Sequence, residues 1–187
     1  MKRSAYGFTI VELLIVIVVI GILASITIIA YNGVQGRAEY TRIKSDFSTL
    51  QKALEMYKSD HGDAYPNSAD CVATAGEANY EHQWCGWNQG VNDSFIPGIA
   101  PRYIATTPTL SKRADTADTY LYKSSSGKDG LNPGTAYYQI LRFKRSGLTS
   151  TEVSEATKDG TLVSGSYVVN GNETAWGLKS DPTLAWW

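Results

Sequence analysis

The sequence predicts an α+β fold in which a long N-terminal helix carries a small antiparallel sheet. Three observations predict it. Residues 8–31, FTIVELLIVIVVIGILASITIIAY, are apolar almost throughout, with Glu12 as their one charge. Tyr40, Ile43, Phe47, Leu50, Leu54 and Tyr57 recur at spacings of three and four, which places them on one seam of a helix. The last third of the chain holds short runs rich in aromatic and β-branched residues, separated by Gly, Ser and Asn, as strands and turns are. A sheet laid over the seam buries the apolar faces of both elements.

The apolar run comes first. At about 1.5 Å per residue, a helix of this length crosses the roughly 30 Å hydrocarbon core of a bilayer. A single span in lipid is helical, because no water is there to satisfy the backbone. Ahead of it stands MKRSAYG, whose Lys2 and Arg3 favour a cytoplasmic N-terminus. Glu12 is unfavourable in such a segment unless it snorkels or finds a cation. Cleavage after Gly7 would create one, the amine of Phe8, and residues 8 and 12 share a helix face. An ordinary secretory signal fits poorly: its apolar region is about 7–15 residues long, and Ala24-Ser25-Ile26 is a poor cleavage site. A plain membrane anchor accounts for the hydrophobicity but not for Gly7-Phe8 followed by Glu12.

Gly7 to Ala24, GFTIVELLIVIVVIGILA, resembles the class III signal of type IV pilins and type II secretion pseudopilins, and the resemblance extends over about residues 1–57. It implies a prepilin with the pilin fold. Gly7 would precede the prepilin peptidase cut, and Phe8 would become an N-methylated N-terminus. Glu12 would pair with the Phe8 amine of an adjacent subunit, and Gly21 would be the weak point of the helix. Ile29 stands where many major pilins have proline, so no proline kink is implied. The implied partners are copies of the chain or other pilins, the prepilin peptidase, a pilus assembly platform and the membrane. The implied product is a structural subunit of an extracellular type IV pilus for adhesion or twitching motility. The alternatives are a type II secretion pseudopilin and a membrane-tethered binding module.

This divides the chain into a leader (1–7), a membrane and filament-core helix (8–31), an amphipathic half of the stalk (32–61) and a head (62–187). Asn32, Gly33 and Gly36 are expected to form a soft joint in a continuous helix. Arg42, Lys44, Asp46, Lys52, Glu55 and Lys58 fall on its wet side, and His61-Gly62 marks its end. Within the head, 62–118 reads as a long αβ-loop region. It contains both cysteines, Cys71 and Cys85, which an exported head would oxidise. Closing that loop of about 15 residues contributes roughly 3 kcal/mol in the chain-entropy picture. Trp84 and Trp87 are either anchors of this loop or exposed contact residues.

Strands are expected at Thr119–Lys123, Tyr137–Phe143, Leu162–Val169 with a bulge at Gly165, and Glu173–Lys179 as an edge. Leu141 and Phe143 suggest that the Tyr137, Gln139, Leu141, Phe143 face of the second strand meets the stalk. Thr149–Thr157 is expected to form one or two helical turns, capped by Ser150 or Thr151. The tail ends in Trp186 and Trp187, which either dock on their own head or meet a neighbour.

Charge and motifs narrow the function. The chain carries 17 basic and 18 acidic side chains, a net charge of −1. Loss of Lys2 and Arg3 with the leader takes away two positive charges and leaves −3. That is no footprint for nucleic acid. Neither histidine, His61 nor His82, neighbours a nucleophile motif, and there is no phosphate-binding glycine loop, so no enzyme is expected. No cofactor is expected either. The one alternative is calcium held by oxygens of Asp115, Asp118 and Asp129, but their spacing is not that of an EF-hand and solvated turns explain them as well.

Overall fold

The structure is a computed structural model. It describes residues 7–68, 84–86, 96–108, 110, 118–125, 136–144, 146–163, 168–169, 172–183 and 186, without the side chains of 28–30, 32, 118, 168 and 169.

Helix α1 runs Ile10–Asp60, 51 residues without a break. At about 1.5 Å per residue it is roughly 75 Å long. Thr9 caps its start, and His61 caps its end with Nδ1 2.9 Å from the Tyr57 carbonyl. Gly62 and Asp63 then turn the chain away at positive φ. The joint expected at 32–36 does not interrupt the helix. Gly36 has a packing reason instead: a Cβ there would lie 3.2 Å from the Thr151 side chain, so glycine lets a second helix come close.

That second helix, α2, is Ser150–Lys158. Three strands, β1 (Asp118–Ser125), β2 (Tyr137–Lys144) and β5 (Ala175–Lys179), form an antiparallel sheet in the order β1-β2-β5. A two-residue ladder joins β3 (Val168–Val169) to β4 (Asn172–Glu173). The architecture is the α+β arrangement of a long helix and a small antiparallel sheet. The run expected as one strand over 162–169 is described as a bridge from Leu162 to Trp176 and the short β3, with Gly165 outside the described residues. The expected edge strand divides at Thr174 into β4 and β5.

The seam of α1 packs on the sheet. Tyr40, Ile43, Phe47, Leu50, Ala53 and Leu54 are buried against Tyr120, Tyr122, Tyr138, Ile140 and Trp176. The register explains this set: Tyr120, Arg142 and Trp176 lie in one row across the strands, and Tyr122, Ile140 and Leu178 in the next. The Trp176 ring sits 4.5 Å from Tyr40 and 5.1 Å from Phe47 between centroids. The β2 face toward the stalk is therefore that of Tyr138, Ile140 and Arg142, not that of Leu141 and Phe143. Both faces are buried, which is why side-chain hydrophobicity pointed the wrong way. Leu141 and Phe143 form a second core with Trp84, Leu121, Val163 and Ala175 on the far side of the sheet.

Arg142 is the polar exception on the stalk side. Fully buried, it places Nε 2.8 Å from Oε1 of the equally buried Glu152 on α2, and Nη2 3.6 Å from Glu39 on α1. The other Glu152 oxygen accepts from the backbone N–H and hydroxyl of Thr149, at 2.9 and 3.0 Å. Thr149, not Ser150 or Thr151, is thus the cap, because Glu152 stands three residues after it and completes a capping box. One guanidinium ties sheet, α2 and stalk together.

Tyrosine hydroxyls form a further set of ties. Tyr120 donates to Asp46 (2.6 Å), Tyr65 to Glu55 (2.9 Å), Tyr103 to Asp60 (2.9 Å) and Tyr40 to Asp159 (2.9 Å). Burial, and to a lesser degree the Asp159 carboxylate beside it, pushes the Tyr40 phenol up to about 12. Tyr65, Tyr120, Tyr122 and Tyr138 are raised as well, chiefly by burial.

Two outcomes are expected. Arg142→Met leaves Glu152 buried without its cation and should cost on the order of 3–5 kcal/mol in urea unfolding of the detergent-solubilised chain. A raised tyrosine pKa stabilises the fold fully below the ordinary value of about 10, and that stabilisation is lost as pH rises through the folded value. For Tyr40 the window runs from about 10 to about 12. Spectrophotometric titration should therefore show a late group of phenolates appearing together with loss of the near-ultraviolet circular dichroism of the fold.

Candidate assembly site

The start of α1 gathers the residues expected to act. Gly7 and Phe8 precede the helix, and Phe8 is 84% exposed. Thr9 is the cap: its hydroxyl accepts from the Glu12 backbone N–H at 3.2 Å. Glu12 reaches back, and its Oε2 accepts from the Thr9 backbone N–H (2.8 Å) and the Thr9 hydroxyl (2.7 Å). The carboxylate thus has a partner within its own chain, one turn from Phe8. The sequence carries the Thr-x-x-Glu spacing of a capping box at this point.

Beyond this turn, Ile10–Thr27 has a mean hydropathy of 2.9 and none of it is buried, so it is long and apolar enough to cross a membrane. The helix continues through Gly21, where an added Cβ would meet nothing within 4 Å. One turn on, Ser25 and Thr27 each donate back to a carbonyl of the preceding turn, Ile22 and Leu23, both at 2.7 Å.

The remaining candidates scatter over the head. Cys85 is buried, and its backbone pairs with Tyr122 in both directions, at 2.8 and 3.0 Å. Cys71 lies outside the described residues, and no cysteine among the described residues is free. Trp84 is buried in the second core and lies beneath the Lys123 ammonium, so it anchors its loop. Trp186 packs against the same core under Lys179, 4.7 Å from the ring centroid, which docks the tail on its own head. Trp87 and Trp187 lie outside the described residues. So do Asp115 and Asp129, while Asp118 begins β1 opposite Lys144. His61 stacks on Tyr57 at 3.8 Å. His82 lies outside the described residues.

An exposed apolar stalk with a capped acidic first turn and a Gly-Phe junction ahead of it defines a class. Residues 2–28 match the family model described as the prokaryotic N-terminal methylation motif. Over that segment the chain is similar to the prepilins, the type IV pilin-like proteins. Among its relatives are type II secretion system core protein G of Klebsiella michiganensis, 39% identical over 67 residues, and of Aeromonas hydrophila, 40% identical over 67 residues. Each of these matches spans 36% of this chain and 46% of the relative. The corresponding protein of Escherichia coli is 42% identical over 55 residues, 29% of this chain and 38% of its own. The chain thus spans less than half the length of the curated relatives it matches. No solved structure matches it.

Thr9→Ala should lower the local stability of the first helical turn by about 1 kcal/mol. Faster amide exchange at residues 10–12 in detergent, with exchange in the sheet unchanged, is the expected reading.

Proposed function

We propose that the chain is a pseudopilin-type structural subunit, held in the membrane by residues 8–31 and then polymerised with those helices in the core of a filament. The observation that carries this is the stalk itself. Its outer half exposes Ile10 to Ile26 side by side, a surface that persists only in lipid or against other helices. A surface pilus for adhesion or motility was the first expectation. Secretion now comes first, because the relatives that match are named as secretion core proteins.

In this reading a prepilin peptidase cuts after Gly7, and Phe8 becomes an N-methylated terminus. Glu12, left in an apolar surround, accepts from the Phe8 amine of a neighbour and sets subunit register. A buried carboxylate without its cation is disfavoured by roughly 3–5 kcal/mol, so misregistered copies are rejected. A Cys71–Cys85 bridge staples the loop, consistent with the buried position of Cys85. The work is mechanical and structural, with no reaction assigned, and the filament stands in the cell envelope. An assembly platform draws the stalk out of the bilayer.

Mass spectrometry of the mature protein should find N-methylated Phe8 and no residues 1–7. Glu12→Ala should still insert in membranes but be missing from purified filaments. Retention of residues 1–7 in cells with an active peptidase would favour the tethered module and overturn the proposal.

A further inference from the structure

Where the first turn of α2 overhangs α1, the two helices form a groove of about 510 Å³ lined by Gly33, Val34, Arg37, Ala38, Thr41 and Thr151. Among the contacts that hold α2 above it are the close approach at Gly36 and an ion pair of 3.6 Å between Arg37 and Glu155. On the open side the backbone at Gly33 is bare, since a Cβ there would meet nothing within 4 Å. Tyr31 and Val34 are 64% and 69% exposed, so the apolar surface of the outer stalk continues into the groove. The Arg37 side chain stands at its lip, 71% exposed.

We propose that this groove seats the first helical turn of a second copy of the chain, with the second copy's Phe8 over Gly33 and its Glu12 against Arg37. The inference rests on the filament reading above and names one of its contacts. Phe8 and Glu12 are four residues apart on one helix face, and so are Gly33 and Arg37. A bulky ring meets bare backbone, and the lone acid of the apolar segment meets an exposed cation. Both Thr9 bonds end on Oε2 of Glu12, and the two lone pairs of Oε1 can take both the neighbour's Phe8 amine of the filament reading and the guanidinium.

The two turns are 25 residues apart along α1, so the second copy is displaced along the axis by roughly 37 Å. In that register its apolar segment runs beside Ala38, Thr41, Ser45 and Ser48, an exposed flank of small side chains at spacings of three and four. Small residues let helix backbones approach closely, the packing that apolar helices use when no water drives them together.

The test uses the full chain in cells that assemble its filaments. A photo-crosslinking residue in place of Val34 should capture residues 8–12 of a second copy, read by mass spectrometry. Gly33→Leu and Arg37→Glu should keep membrane insertion and N-terminal processing yet lose filaments, whereas Arg37→Lys should retain them. Glu155→Gln removes the Arg37 ion pair within the chain and should leave filaments intact. Loss of filaments in Glu155→Gln, or cross-links that fall elsewhere on the second copy, would overturn the groove assignment. Normal filaments in Gly33→Leu and Arg37→Glu, with filaments absent in Glu12→Ala, would also overturn the groove alone. Normal filaments in all three would also remove the register role of Glu12, whereas absence of the unmutated chain from filaments would remove the filament reading itself.

Discussion

The contact of Trp176 with Tyr40 and Phe47 is the one on which the rest depends. It joins the last strand of the sheet to the first buried turns of the stalk, residues far apart in sequence. Around it the seam of α1 loses its water, and burial of apolar surface at roughly 25 cal/mol per Å² is the main term that holds a head to a helix. Without that face the inner half of α1 would be a polar helix with one greasy stripe, and the sheet would have only its second core. The polar ties become possible once this face is closed. A guanidinium as buried as Arg142 is tolerable only when α2 brings Glu152 to it, and α2 is brought there by the close approach at Gly36.

The two halves of α1 obey different rules with one backbone. From Tyr40 onward, spacing decides which residues are buried, and polar residues fill the rest. From Ile10 to Thr27, every side turns outward and apolar, and spacing carries no information about partners. The head therefore recognises its stalk through periodicity. Recognition of a neighbouring stalk would have to rest on rare features, such as the one acid, the bare glycines and the exposed cation at Arg37.

Much of this was legible in the residues. The seam from Tyr40 to Tyr57 is legible, since a period of 3.6 with charged residues between is a strong signal, although its last member, Tyr57, is only half-buried. The end of the helix at His61 and the positions of β1 and β2 were legible for similar local reasons. The face of β2 was not, because a strand buried on both sides shows no alternation to read, and a buried arginine looks like a solvent-facing one until its partner is known. The caps at Thr149 and Thr9 are both legible as Thr-x-x-Glu, but neighbouring hydroxyls at Ser150 and Thr151 and the membrane setting of Glu12 offer competing readings of the same residues. The approach of α2 to Gly36 is long-range, and two glycines beside an asparagine look the same whether they loosen a helix or admit another. At the candidate site, Gly7, Phe8 and Glu12 were visible from residue type and spacing, whereas the Glu12–Thr9 bonds needed coordinates.

The unbroken course of α1 has a consequence for force. A pull on the outer half passes up one continuous helix, whose parallel rows of backbone hydrogen bonds are unbroken from Ile10 to Asp60. It reaches the head along the direction of the seam, so the aromatic contacts there are loaded in shear, all together, rather than peeled one after another. A head mounted in this way yields late and all at once.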